Sequence, residues 1–512
     1  MANRGRPRLL RIKKKNRKNA DMDKSAIIDK PHKATATNKR NGLALEMFLV
    51  VAIVITFFDV VKQGFVGDDW FWLYNAKFTM SHLSGWVSAL EHANGSGQYR
   101  PLTQNIFFWC AFRAFGLYAP AYHIVMLVVF SLSALILFRL VTRLVKDKAI
   151  ALGATMFFAV SPLHYGGLSW VSAFSETGAI FCFILALYFI TTERHRLGYL
   201  AYIVCLLSNE TASIVPAIGF LYYTIYKHET LAASARKTLW YWAIFVLYMI
   251  LRVTVLGLHP TGVFTFGDTF GATAYHIAGA VVHVVGVAPT FYNVTTSSGA
   301  VKIVRYLVGY FYFAAGTVLL ISIVRRSITD LAARNLVLFG GALFIVGLLP
   351  ELMFAQHDWA LYNLGIPNIG VVFIAASLGI GDMSEGEKNR GRRYVLLAAG
   401  LLLLFSIIQI WGPGGLNDVQ GSNVLGRQVS RLYKRVSIEI KKSAHKGQIT
   451  LRIVGDKKRW TSWMLASPFG LDVLAGTRSG SRVCYSRACR ADITVYWNAK
   501  RKQFENVSNI GW

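Results

Sequence analysis

A chain of 512 residues that is 54% hydrophobic and only 16% charged, with a mean hydropathy of +0.41, does not have the composition of a soluble domain. Soluble domains carry roughly 25% charged residues, and long uncharged runs recur here, so the chain reads as a polytopic membrane protein. The formal net charge of +29 would suggest nucleic acid in a soluble protein. In a membrane protein, anionic headgroups and the cytoplasmic bias of Lys and Arg account for it, and no nucleic-acid partner is expected.

In chain order, residues 1–41 are polar and basic, with the run Lys13-Lys14-Lys15-Asn16-Arg17-Lys18. They read as a disordered cytoplasmic tail drawn to membrane lipids. No small-residue cleavage site follows the next apolar run, so a signal peptide is not expected. Leu43 to Val61 is the first span, leaving the cytoplasm. A large outer loop follows, in which Asn105 to Phe115 reads as an interfacial helix. Ala121 to Val141 returns to the basic cluster Arg139, Arg143, Lys146 and Lys148. Further apolar segments are Ala149 to Pro162, Thr177 to Ile190, Leu197 to Leu207, Ser213 to Tyr226 and Leu239 to Leu256. The remaining ones are Tyr306 to Val324, Leu336 to Leu349, Leu364 to Ile380 and Leu396 to Trp411. Several fall short of the ~20 residues of a full span.

The piece Ala274 to Pro289, with His276 and His283 on one helical face, reads as interfacial or re-entrant. After Trp411 the chain turns polar and basic. Alternating stretches such as Ile449 to Val454 and Ile493 to Trp497 predict strands there. Cys110, Cys182 and Cys205 lie in apolar runs, whereas Cys484 and Cys489 stand close enough in sequence to pair in an oxidising compartment. The fold class expected is mainly α, with about eleven transmembrane helices. It has a large first outer loop with interfacial helices and a small C-terminal α+β outer domain. The domains are 1–41 tail, 42–411 membrane domain and 412–512 extracytoplasmic domain, with the N-terminus inside and the C-terminus outside.

Chemistry gathers on the outer side of this topology. The stretch Phe65 to Pro101 opens with Gly67-Asp68-Asp69-Trp70 and ends with Tyr99-Arg100-Pro101. Carboxylates at a membrane boundary are costly to desolvate and so mark function. Glu91, Glu176, Glu210, Glu351 and Asp358 fall on the same side, as do His92, His164, His357, Arg100 and Arg252. A carboxylate there suits a general base acting on an acceptor hydroxyl. Arginines suit a phosphate, which their planar fork can grip. Each also has a plainer reading: a polar turn for the acids, snorkelling for Arg100, an intramembrane ion pair for Arg252, and interfacial hydrogen bonds for His164 and His357. No phosphate-cradling glycine loop, metalloprotease helix or nucleophilic serine elbow is present.

These residues resemble integral-membrane glycosyltransferases of the C superfamily, in particular the protein O-mannosyltransferase branch and its bacterial relatives. The matching pieces are Asp68-Asp69, Tyr99-Arg100-Pro101-Leu102, Ser161-Pro162-Leu163-His164 with Trp170-Val171-Ser172, and Ser208-Asn209-Glu210-Thr211 with Pro216. Leu251-Arg252 with Leu256-Gly257 follows, then Leu361-Tyr362-Asn363-Leu364-Gly365-Ile366-Pro367, across about Leu43 to Trp411. The family often has Lys where Asn209 stands and Arg where Trp359-Ala360 stands.

The resemblance implies inverting transfer of a sugar from a polyprenyl-phosphate donor at the outer face of a plasma or inner membrane. Asp68 is the preferred base and Asp69 an orienting carboxylate. The substrate contacts are Tyr99, Arg100, His164, Glu176, Glu210, Arg252, His357 and Tyr362. It implies no cofactor or metal, and it leaves open whether the acceptor is a glycan, lipid or protein. Two other readings stand beside it: a transporter or flippase of lipid-linked saccharide, and a non-catalytic scaffold that displays the basic outer domain.

Overall fold

The computed structural model describes residues 36–91, 98–256, 299–352, 361–381 and 384–411, and the short stretches 432–434, 436–438, 440, 450–454, 468–475, 482–484, 493–498 and 503–506. Contacts divide the chain into Met1–Leu45 and Glu46–Trp512. The expected tail, the piece Ala274 to Pro289 and the pairing of Cys484 with Cys489 lie outside what is described, except that a helix already begins at Ala36.

That helix, α1, runs Ala36–Phe57 and ends in a 3₁₀ turn, Phe58–Lys62. The first loop carries three short helices: α2 (Asp69–Tyr74), α3 (Leu83–Glu91) and α4 (Phe107–Phe115), with a π-turn over Pro101–Ile106 before the last. Next come α5 (Ala119–Val145), α6 (Lys148–Ala159), α7 (His164–Ser169) and α8 (Phe174–Thr191). After them stand α9 (His195–Leu206), α10 (Val215–Leu221) and α11 (Leu231–Leu251). The last long helices are α12 (Gly299–Thr329), α13 (Leu331–Leu352), α14 (Gly365–Ala376) and α15 (Glu385–Trp411).

Within the described residues, each apolar segment read from the sequence overlaps one of these helices. Among the described residues, six helices, Gly42–Lys62, Ala119–Val145, Val171–Thr191, Leu307–Thr329, Leu331–Pro350 and Glu385–Trp411, are long and apolar enough to cross a membrane. The chain is an integral membrane protein. Lys148–Ala159 and Gly365–Gly379 are shorter apolar helices, and α9 and α10 are shorter than a full span as well. Side chains such as Leu247 on α11 and Phe311 on α12 are exposed, as a lipid-facing surface requires.

Packing between apolar helices in lipid comes from close approach rather than from a hydrophobic drive, so small residues mark the tightest seam. Here it is α13 against α14: a Cβ added to Gly340 would lie 2.7 Å from the Gly370 carbonyl oxygen. α8 lies against α9, α5 against α8 and α6, and α15 against α12 and α6. At one end, the Trp411 indole donates to the carbonyls of Ile55 and Thr56, joining the last helix to the first. Leu163, Leu348 and Leu364 form a buried cluster at the same end.

Acidic side chains occur at both ends of the bundle; those opposite the first loop include Asp147, Glu193, Glu229 and Asp330, none of them among the acids expected on the outer side. At the end opposite the first loop every described acid in the turns has a cation. Arg392 Nε is 2.8 Å from Asp147, Arg326 Nη2 is 2.8 Å from Asp330, and Lys237 Nζ lies 2.6 Å from Glu229 and 3.6 Å from Glu193. These are staples between helix ends. What sets the first-loop end apart is how its acids are partnered.

Beyond Trp411, the strand stretches read from the sequence are strands. β1 (Thr450–Val454), β2 (Arg482–Cys484), β3 (Ile493–Asn498) and β4 (Gln503–Asn506) form a mixed sheet in the order β2-β1-β3-β4. β1 pairs in parallel with β2 and β3, and β3 pairs antiparallel with β4. A helix, α16 (Pro468–Ala475), lies between β1 and β2 in sequence.

Candidate active site at the first loop

The acid pair is presented by a turn. Gly67 has φ +52°, a left-handed conformation that glycine adopts without strain, and α2 starts two residues later. Asp69 sits in the first helical turn, where a negative charge suits the helix dipole. Its Oδ2 reaches back to accept from the Val66 N–H at 2.9 Å, three residues upstream, as a capping side chain does. Its Oδ1 accepts from the Ser172 N–H at 2.7 Å and from the Ser172 hydroxyl at 2.6 Å.

Asp69 is fully buried. Burial pushes its carboxyl up to about 7, working against the three donors, which favour the charged form. With both oxygens committed, Asp69 is an anchor between the first loop and the Val171–Ala173 turn. Asp68, its neighbour, is exposed and has no ion pair among the described residues. Surrounding protein mass still raises its carboxyl above the usual aspartate value. The two adjacent carboxylates thus differ in kind: one is held, the other is open.

Arg100 is the second centre. It precedes Pro101, which excludes helical geometry at its own position, and its φ of −131° and ψ of 56° turn the side chain back over the π-turn. The π-turn is tied to the end of α9: Leu102 N–H donates to the Leu207 carbonyl at 3.2 Å, and the Thr103 hydroxyl to the Ser208 carbonyl at 2.7 Å. Arg100 Nε donates to Glu210 at 2.9 Å. Its Nη1 donates to the Ser175 hydroxyl at 3.0 Å and to Glu176 at 3.5 Å. The Tyr99 N–H donates to the other Glu210 oxygen at 2.8 Å. Asn209 donates its side-chain N–H to Glu176.

All three charged side chains are mostly buried, at 16% exposure for Arg100, 14% for Glu176 and 28% for Glu210. Burial acts to raise the Glu210 carboxyl, but Arg100 and the Tyr99 N–H outweigh it and hold it below the usual glutamate value. Two carboxylates therefore share one guanidinium. Arg100 gives Nε and Nη1 to protein partners and so forms a hub that fixes the loop to α8 and to the Glu210 turn.

A hydrogen-bonded path joins the two centres. Asp69 holds Ser172, and the Ser175 hydroxyl donates to the Ser172 carbonyl at 3.5 Å while accepting from Arg100. Arg252 follows α11, and Tyr248, one turn before it, lies within electrostatic reach of Glu210, Arg252, Arg100 and Tyr99. Arg252 therefore belongs to the same end and the same neighbourhood.

His164 packs among aromatic rings. It is buried with ring-centroid distances of 4.7 Å to Phe130 and 4.6 Å to Phe158, and burial lowers its pKa to about 3. It stays neutral over the working range and packs near Gly365. His357 lies outside the described residues, as does the side chain of Tyr362. Among the described residues no three of His, Cys, Asp and Glu are grouped to hold a metal.

Ser172 and Asn209 fall within the motifs, but neither those motifs nor their spacing assigns a role to them or to Ser175. The available signal was three polar residues, Ser172, Ser175 and Glu176, crowded at the start of an otherwise apolar helix.

No family model matches the chain, and no curated protein matches it. Among solved structures, the crystal structure of ArnT from Cupriavidus metallidurans bound to undecaprenyl phosphate aligns over 86% of this chain and 86% of that one, at 11% identity and a TM-score of 0.48. The cryo-EM structure of the arabinofuranosyltransferase AftD from Mycobacteria aligns over 88% of this chain but 32% of its own, at 14% identity and a TM-score of 0.45. Both likenesses are distant, and neither assigns an activity to this chain.

Proposed function

We propose that the chain is a membrane glycosyltransferase that moves a sugar from a polyprenyl-phosphate donor to an acceptor hydroxyl at the first-loop end, with Asp68 as general base. The observation that supports this most is the contrast within the acid pair. Asp68 is open to an incoming group, and its raised pKa makes it a better proton acceptor than an ordinary aspartate. It is carried on a turn that Asp69 holds rigid through Val66 and Ser172. The ordered motifs read from the sequence point to the same reaction.

In the proposed step, the Asp68 carboxylate takes the proton of the acceptor hydroxyl. The acceptor oxygen bonds to the anomeric carbon as the bond from that carbon to the phosphate oxygen breaks. The polyprenyl phosphate departs with the bonding electrons, and the configuration inverts. The leaving phosphate gains charge and needs a cation. We assign that role to Arg252, because Arg100 is already shared by Glu176 and Glu210. Tyr99 and Glu210 fix the loop beneath the donor. The first-loop end is assigned to the extracytoplasmic face on the distribution of Lys and Arg.

The experiment is transfer from polyprenyl-phosphate-linked sugars by Asp68→Asn and Arg252→Met proteins in membranes. Loss of turnover in the first, and weakened donor use in the second, are expected. Wild-type turnover in Asp68→Asn removes the mechanism.

A further inference from the structure

Two rings from the far end of the sequence close on the acid loop. The Tyr433 ring lies 4.2 Å, centroid to centroid, from Trp70, the residue directly after Asp69. The Phe469 ring, on α16, lies 5.2 Å from Phe71 and 5.2 Å from Tyr74. The Lys77 ammonium donates to the Val473 carbonyl at 2.6 Å, in the last turn of α16, where a cation satisfies a free carbonyl and suits the helix dipole. Trp70 and Tyr433 are both 4% exposed, so this is a packed interface.

α2 has six residues and is far too short to hold its shape alone. It is held at its first residue by the Asp69 bonds, and along its side by these C-terminal rings. The first hold fixes where α2 begins, and the second packs the side of the helix that follows directly on Asp68. Trp70 also packs on Phe65, which stands three residues before Asp68, so the grip reaches both flanks of the acid pair.

We propose that Tyr433 and Phe469 are positioning residues for the Asp68 carboxylate, which makes the segment after Trp411 a working part of the site. The proposal rests on the reading of Asp68 as the base.

The test uses the full-length protein in proteoliposomes, with kcat and donor KM measured for Phe469→Ala, Tyr433→Ala, Phe469→Tyr, Asp68→Asn and the double variant Asp68→Asn/Phe469→Ala. The two alanine variants are expected to lose about tenfold or more in kcat with donor KM little changed, as expected when transition-state geometry alone is lost. Phe469→Tyr, which keeps the ring, retains wild-type kcat. Because Phe469 acts through Asp68, its loss adds nothing to the residual rate of Asp68→Asn. Additive losses, or wild-type kcat in both alanine variants while Asp68→Asn is inactive, overturn the coupling and leave the base intact. Full activity of Asp68→Asn overturns both. Should Phe469→Ala not fold, Phe469→Leu carries the same test, since it keeps bulk and loses the ring.

Discussion

Removing Arg100 leaves two buried carboxylates facing each other with no cation between them, whereas removing either acid leaves Arg100 with the other. The cost of the three substitutions is therefore unequal. Taking one partner from a buried ion pair costs about 3–5 kcal/mol, because the charge left behind is uncompensated. Exposures of 14–28% place these groups near that regime. Arg100→Met strands both Glu176 and Glu210 and falls in this range. Glu210→Gln keeps one acceptor, but it turns an amide toward either Arg100 Nε or the Tyr99 N–H, so one charge-assisted hydrogen bond is lost, about 1.5–3 kcal/mol. Glu176→Gln keeps the one oxygen, Oε1, that accepts from both Asn209 and Arg100 and loses only the negative charge behind these contacts, so its cost is about 1 kcal/mol or less. Denaturant titration in detergent, followed by tryptophan fluorescence, should rank the midpoints Glu176→Gln, Glu210→Gln, Arg100→Met, from least to most destabilised. Adding both glutamine substitutions to Arg100→Met should recover part of its loss, since no unpaired carboxylate remains. A smaller effect for Arg100→Met than for Glu176→Gln would refute the shared-guanidinium account.

Asp69 gives a pH signature. Its folded pKa of about 7 lies well above the ordinary aspartate value of 3.8, so the folded state holds the proton more tightly. The stabilisation from this group is therefore complete at low pH and is lost as pH rises through 7. From pH 5 to pH 8 the wild type should lose on the order of 2–3 kcal/mol by this route. Asp69→Asn should flatten that slope, and equal slopes in the two proteins would contradict it. Gly340→Leu should break the α13–α14 seam at a cost of at least about 1–3 kcal/mol, read as a lowered melting temperature, because the added Cβ meets the Gly370 carbonyl. A wild-type melting temperature would show that the two helices do not approach that closely.

The helices were legible because an apolar run bounded by charge has few alternatives in a membrane. Ala121 to Val141 and Leu396 to Trp411 are examples, and each lies within an observed helix. The two short segments about Glu210 were legible as short, and the structure shows why. The chain breaks at Ser208–Asn209 to bring Glu210 under Arg100, trading helix length for an ion pair. The acid pair was legible as a pair. Its division of labour was not, because it depends on Ser172, whose place beside Asp69 is set by how α2 meets the Val171–Ala173 turn. The partners of Arg100 were not legible for the same reason: Glu176 and Glu210 converge on it from 76 and 110 residues away. The seat of Phe469 against Phe71 and Tyr74 is more distant still, and no local pattern announces it.

If Asp68 takes the acceptor's proton, single-turnover sugar transfer in proteoliposomes, with a panel of polyprenyl-phosphate hexoses and pentoses given to wild type and Asp68→Asn, reads it without intermediaries. The wild type should use at least one donor, and Asp68→Asn, folded and still binding that donor, should be slower by about 10²–10⁴-fold. Equal rates in the two proteins on a donor that the wild type uses would contradict it.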